Sequence, residues 1–124
     1  MIEDITIGDL TIDCTNAHRA REFYAMLTGW EKTIAFDCLA LKTNNGMIIL
    51  FAEPDDIPYE PPVWPEEHAK QQKQMHFNFQ VDDLLTAVED AIRLGASKSA
   101  SQFGDEHYVT MLDPEGHPFC LCRR

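Results

Sequence analysis

No long apolar run occurs in this chain of 124 residues, and none approaches the roughly 20 residues that a helix needs to cross a bilayer. The opening Met1-Ile2-Glu3-Asp4 also lacks the basic and apolar regions of a signal peptide, so a soluble, cytoplasmic protein with no membrane partner is expected. Positive charge is scarce: 10 Lys and Arg stand against 21 Asp and Glu, for a net charge of -11 and a pI near 4.6. That balance opposes binding to nucleic acid, which is driven by Lys and Arg displacing counterions from phosphates. It would favour a cationic ligand if focused in a cleft, although acidity is more often a solubility feature. The four cysteines, Cys14, Cys38, Cys120 and Cys122, include no Cys-x-x-Cys pair and no disulfide-scaffold density. Reduced thiols that serve as small packing residues are expected. What remains is ordinary globular composition, 44% hydrophobic, enough at this length for one domain over 1–124 with its own core.

Periodicity divides that domain into two similar halves. From Ile5 to Cys14, Leu10, Ile12 and Cys14 alternate with Asp9, Thr11 and Asp13, as in a half-buried strand. Thr15 or Asn16 then caps a helix whose Ala17, Ala20, Phe23, Tyr24 and Leu27 share one face before Gly29 stops it. Apolar runs around Ile34, at Leu39 to Leu41 and at Met47 to Phe51 give three more strands. Asn44-Asn45-Gly46 supplies a tight turn between the last two. The second half repeats the order. Met75 to Val81 alternates, Asp82 or Asp83 caps a helix presenting Leu85, Val88, Ala91 and Ile92, and Gly95 ends it. A weak strand signal at Ala96 to Ser101 precedes a hairpin of Tyr108 to Leu112 and Phe119 to Cys122 around Asp113-Pro114-Glu115-Gly116. The helix-stopping glycines, Gly29 and Gly95, stand 66 residues apart, and the hairpin glycines, Gly46 and Gly116, stand 70 apart. Near-equal offsets over one element order imply a duplicated βαβββ unit, an α+β fold with one module over 5–53 and the other over 73–122.

Five of the seven prolines, Pro54, Pro58, Pro61, Pro62 and Pro65, fall in the acidic stretch 54–72 between the modules. Proline fixes φ and removes a donor, so this segment reads as an extended, semi-rigid linker. Its Tyr59 and Trp64 serve either as a lid over a cavity or, the favoured reading, as pins that hold the linker to the surface.

Several stretches carry a resemblance to a known family: Ile12-Asp13-Cys14, Phe23-Tyr24, Leu27-Thr28-Gly29-Trp30, His76 through Leu84, and Asp113 through Leu121. In this order they resemble the vicinal oxygen chelate superfamily of glyoxalase I, extradiol dioxygenases and the bleomycin and fosfomycin resistance proteins. The likeness is strongest to its glyoxalase-like domains. It implies a U-shaped mixed β-sheet cleft built from the two modules, with the helices outside. It also implies a small-molecule ligand in that cleft and a homodimer. Polar residues of the first strands (Asp9, Thr11, Asp13; His76, Asn78, Gln80) would face the cleft, and Leu10, Ile12, Phe77, Phe79 and Val81 would meet the helices.

Members of the superfamily that do metal chemistry hold one divalent ion with side chains from the first and last strand of each module. Carried onto this sequence by its motifs, the four positions fall at Asp9, at Ile49 or Leu50, at His76 and at Cys120. Asp9, His76 and Cys120 could hold zinc or a similar ion, since thiolate and imidazole suit it and three protein ligands can suffice. The second position has no donor on either reading, so no cofactor is the expectation. Without metal, His76 is the candidate catalytic group, able to move a proton near neutral pH. Asp9 would hold its tautomer or meet a cationic group. Ile49, Phe51 and Met111 would wall the ligand site, with Cys120 as a further lining residue or a nucleophile. Glu53 is at most a rim residue, and His18, His68, His107 and His117 read as solvated. Two functions follow: a lyase or related enzyme acting on a small oxygenated metabolite, or a non-catalytic sequestering protein like the bleomycin resistance members.

Overall fold

A computed structural model describes all residues, 1–124. It divides into two compact units, Met1–Tyr59 and Glu60–Arg124. The first contains β1 (Asp9–Asp13), α1 (Ala17–Thr28), β2 (Glu31–Ala35), β3 (Cys38–Lys42) and β4 (Ile48–Ala52). The second contains β5 (Asn78–Val81), α2 (Leu84–Arg93), β6 (Ser97–Lys98), β7 (Tyr108–Leu112) and β8 (Pro118–Arg123). Each unit is therefore βαβββ, and each forms a four-stranded mixed sheet, ordered β1-β4-β3-β2 and β5-β8-β7-β6. In both, the last strand returns to lie parallel beside the first while the other pairs are antiparallel. No helix is long and apolar enough to cross a membrane.

The two modules repeat down to single hydrogen bonds. Asn16 caps α1 by accepting from the Arg19 N–H at 2.9 Å, and Asp83, 67 residues on, caps α2 by accepting from the Thr86 N–H at 3.1 Å. Either cap satisfies an amide that the helix geometry leaves without a partner. The hairpins match as well. Thr43 Oγ1 accepts from the Met47 N–H and Asp113 Oδ1 from the His117 N–H, each at 3.0 Å, while Gly46 and Gly116 donate back to the carbonyls of Thr43 and Asp113. Of the Asn44-Asn45-Gly46 turn only Gly46 takes positive φ, at 88°, and Gly116 takes 81°. Glycine is required at both for that reason.

Inside the first module, Tyr24 of α1 stacks on Phe51 of β4, with ring centroids 6.1 Å apart and planes 19° from parallel. Leu41, Ile49, Phe51 and Tyr24 are all at most 2% exposed, so the core lies between this helix and its sheet. The Glu53 carboxylate accepts from the Ala17 N–H at 2.9 Å, which joins the end of β4 to the start of α1 and places a negative charge where the helix dipole favours it. Glu53 is thus a helix anchor. In the second module the buried residues of α2 are Leu84, Val88 and Ala91, whereas Leu85 and Ile92 point outward. The expected helix face was rotated by about one residue, because the cap is Asp83 and the stripe begins at once on Leu84.

Other departures have equally local reasons. The first strand starts at Asp9, leaving Ile5 and Ile7 exposed, because the parallel partner β4 begins only at Ile48. The proline-rich stretch 54–72 is not free chain either. Val63 donates to Gln71 at 2.8 Å, the Trp64 ring meets Phe103 edge-on at 6.0 Å, and the Lys73 ammonium lies 3.9 Å over that indole. Trp64 is therefore a pin within the second unit. A hairpin with no glycine joins β2 to β3: Phe36 and Asp37 both take left-handed backbone, at φ of 52° and 59°. That is the two-residue loop whose twist matches its strands, normally made by Asn-Gly. Replacing Phe36→Asn together with Asp37→Gly is expected to stabilise the chain by about 1 kcal/mol or more, read by urea unfolding, since each left-handed non-glycine residue costs roughly that much. Asn16→Ala should cost about 1 kcal/mol and Asn16→Gly only a few tenths in the same measurement.

Candidate functional site

The register of each sheet sorts the candidate residues by face. In the first module Leu10 lies opposite Ile49 and Ile12 opposite Phe51, so these four share the side on which Tyr24 packs. Asp9, Thr11 and Asp13, opposite Ile48, Leu50 and Ala52, point to the other side. Ala40 and Lys42 of β3 join them there. Thr11 Oγ1 donates to Asp9 Oδ1 at 3.1 Å, which fixes the carboxylate along the strand. Ile49 and Phe51, expected as ligand walls, are instead core residues, 0% and 2% exposed. Their alternation with Leu50 admits only one of the two faces.

The second module is sorted in the same way. Asn78 and Gln80 of β5 lie opposite Cys120 and Cys122 of β8, which in turn lie opposite Thr110 and Tyr108 of β7. This is one continuous polar face. Met111, opposite Phe119 and completely buried, belongs to the reverse face with Phe79, whose ring meets Phe119 at 6.0 Å. Met111 therefore fills the core and does not line the polar face. His76 precedes β5 by two residues and is exposed, while the Phe77 carbonyl between them still accepts from the Cys120 N–H at 2.8 Å.

Phe51 and Leu121 are equivalent in the two modules, 70 residues apart like the turn glycines, and their parallel partners are Ile12 and Phe79. By the same register Asp9 corresponds to His76, each three residues before that partner, and Leu50 corresponds to Cys120. The position left open between Ile49 and Leu50 is thus Leu50. The donors are unevenly shared: the first module offers only Asp9, with Ile48, Leu50 and Ala52 around it, and the second offers an imidazole before its strand and a thiol within it. In neither module do three His, Cys, Asp or Glu side chains form a group able to hold a metal.

Sequence reasoning passed over the immediate surroundings of Cys120. Its sulfur lies 3.6 Å from Thr110 Oγ1, and the Cys122 thiol donates to Asn78 Oδ1 at 4.0 Å. The signal is present as alternation along Phe119-Cys120-Leu121-Cys122, which puts Cys122 on the same face as the candidate Cys120. Gln102 was missed too. Its amide donates to the carbonyls of Ser99 and Thr110 and accepts from the Thr110 N–H, each at 2.8 Å, so a side chain continues the ladder where β6 ends.

Comparison with known families settles the class. A sequence-family profile described as a glyoxalase-like domain matches residues 9–122, nearly the whole chain. The chain belongs to the glyoxalase-like domain family. No curated protein matches it. Solved structures similar to this glyoxalase-like chain include a glyoxalase/bleomycin resistance protein/dioxygenase family enzyme from Burkholderia phytofirmans, at 17% identity and a TM-score of 0.66, covering 96% of this chain and 98% of that one. A possible glyoxalase from Bacillus cereus matches at 15% identity and a TM-score of 0.62, covering 95% and 98%. A glyoxalase/bleomycin resistance protein from Albidiferax ferrireducens matches at 10% identity and 0.64, covering 94% and 97%. At such identities they show the shared fold.

Two properties of the second module's polar face can be tested directly. Burial, with a smaller contribution from Cys120, pushes the Cys122 thiol above its ordinary value of 9.0. A raised thiol value means that the folded chain binds more protons than the unfolded one at alkaline pH, so this contribution to stability is intact below the unfolded value and is lost as pH rises through the folded one. Unfolding midpoints of the native chain and Cys122→Ser should therefore converge as pH is raised past 9.0, and a constant difference would show that Cys122 is not the group responsible. Gly104 backs the same face: a Cβ there would lie 2.3 Å from the Tyr108 carbonyl oxygen and 2.6 Å from its ring. Backbone cannot yield as a side-chain tip can, so Gly104→Ala should destabilise by about 1–3 kcal/mol in thermal or urea unfolding.

Proposed function

We propose that this glyoxalase-like protein binds a small oxygenated organic molecule on the helix-free faces of its sheets, with His76 as the central polar group and no protein-held divalent ion. The observation that carries the reading is the register equivalence of Asp9 with His76 and of Leu50 with Cys120. It marks one position per strand at which the family presents functional groups, and here two of the four lack a hard donor. What remains is suited to hydrogen bonding and proton transfer. An imidazole can donate to a ligand oxygen or accept its proton, and the Asp9 carboxylate can orient a hydroxyl or meet a cationic group. Lyase-type chemistry, in which a proton is moved next to a carbonyl, is the reaction class open to such an imidazole.

Leu50 favours a second reading. A leucine where metal-using relatives place a donor gives an apolar contact instead, as a cleft that sequesters a hydrophobic or cationic compound would need, and the net charge of -11 would attract the latter. Assembly as a homodimer, by family resemblance, and a cytoplasmic location accompany both readings.

The test has two parts. Protein purified without chelator should carry far less than one equivalent of zinc, nickel, manganese or iron, and a stoichiometric ion would overturn the metal-free reading. In a nuclear magnetic resonance screen of small carbonyl and hydroxy-acid compounds, binders should perturb His76, and His76→Ala should weaken them about tenfold, corresponding to a lost hydrogen bond of roughly 1.4 kcal/mol. Binders that ignore His76→Ala would show that the centre lies elsewhere. Turnover of a binder selects the enzyme, and tight binding without turnover selects the sequestering protein.

A further inference from the structure

Cys120 and Cys122 are two residues apart on β8 and point to the same face, as their register with Asn78 and Gln80 on one side and Thr110 and Tyr108 on the other requires. Each sulfur already has a polar neighbour: Thr110 Oγ1 at 3.6 Å from Cys120, and Asn78 Oδ1 at 4.0 Å from Cys122. Cys122 is partly exposed, with the exposed Asn78 and Gln80 beside it, and Cys120 is buried, so an ion arriving from solvent would meet Cys122 first. No third His, Cys, Asp or Glu of this module joins them.

What such a pair can do is limited by strand geometry. Alternate residues of a strand are about 6.6 Å apart at Cα, the far end of the range that a disulfide spans. Here β8 is held by ladders to β5 and β7 on both sides, so the backbone cannot pucker to shorten that distance. A bridging ion removes the difficulty. Two metal–sulfur bonds of about 2.3 Å let the sulfurs stand up to about 4.6 Å apart, which side chains leaning toward each other along one strand can reach. With only two thiolates, the ion must accept low coordination and soft ligands, which excludes octahedral oxygen-seeking ions and disfavours tetrahedral zinc.

We propose that Cys120 and Cys122 form a two-thiolate site for a soft monovalent ion, copper(I) in the first instance. Binding is coordination without redox change: two Cu–S bonds form, and each thiol releases its proton to solvent. Once the thiols are deprotonated their sulfurs can only accept, so the Thr110 hydroxyl would donate to Cys120 and the Asn78 side chain would turn its amide NH2 toward Cys122, the role that outer-shell groups play at metal sites. The site shares Cys120 with the proposed ligand face but not His76, which separates the two ideas experimentally.

The experiment is an anaerobic titration of the reduced full chain with copper(I), in competition with a colorimetric copper(I) chelator. One equivalent should bind, with X-ray absorption showing two sulfur neighbours and no others at bonding distance. Cys122→Ser, at the partly exposed position, should weaken binding by at least about 100-fold, since even outer-shell changes are worth about 10–100-fold. Cys38→Ser and His76→Ala should leave it unchanged. Cys120→Ala is the complementary variant, read beside its unfolding midpoint because Cys120 is buried. Retention of affinity by Cys122→Ser, loss of it in Cys38→Ser, or displacement of copper by equimolar zinc would each overturn the proposal. Loss in His76→Ala would also overturn it, by moving the copper to the proposed ligand centre, whereas failure of the organic-ligand screen leaves the copper result standing.

Discussion

In each module the first and last strands lie parallel, and this pairing decides which side chains meet the helix and which meet the opposite face. A parallel pair cannot be joined by a tight turn, and here the helix and the two other strands make up the connection between its members. Its register is held from both ends. The Asn16 and Asp83 caps set where each helix starts after the first strand, and the turns at Thr43 and Asp113 set where the last strand starts. A slip of β4 by one residue would turn Leu50 inward and Phe51 outward, losing the stack on Tyr24, and a slip of β1 would instead bury Asp9. Burying that carboxylate without a partner would cost several kcal/mol, so the polar face is specified by the same interaction that builds the core.

Much of this was legible in the residues. Caps and turn glycines are local devices whose geometry is set within four or five residues, and Asn16, Asp83, Gly29, Gly46 and Gly116 do what their types predict. Alternation in Asp9 to Asp13 also gave the two faces of β1. β4 was not legible in this way, because Ile48, Ile49, Leu50 and Phe51 are all apolar and carry no alternation. The choice between Ile49 and Leu50 therefore waited on the partner strand, as did the assignment of Phe51 and Met111 to the core. The Phe36-Asp37 turn was invisible for a different reason. A left-handed phenylalanine is disfavoured locally and is tolerated only because the strands on both sides impose it.

The site residues divide by how far their roles depend on tertiary context. Asp9 and Cys120 could be placed by counting from motifs, since each lies within a strand of fixed period. His76 lies before β5, where the period no longer constrains it, and its exposure could not be read from Met75 to Val81 alone. Glu53 looked like a remote rim group because its partner, the Ala17 amide, is 36 residues away in sequence. Long-range capping of this kind leaves no spacing to recognise.

Comparison of equivalent positions shows where the modules have diverged chemically. On the helix-free face, Ala40, Leu50 and Ala52 of the first module stand where the second has Thr110, Cys120 and Cys122. The frames match to single hydrogen bonds, so the difference is not one of folding requirement: either set is accommodated by the same register. In the first module the face is apolar at its centre and acidic along β1, suited to contact area and to attracting positive charge. In the second it carries two hydroxyls, two thiols and two amides in adjacent strands, which suits directional hydrogen bonding and soft coordination. Thiols at consecutive face positions also explain why a hard divalent ion is a poor fit. In the proposed copper(I) site the sulfur at Cys120 would be satisfied together with its neighbour two residues on along the same strand.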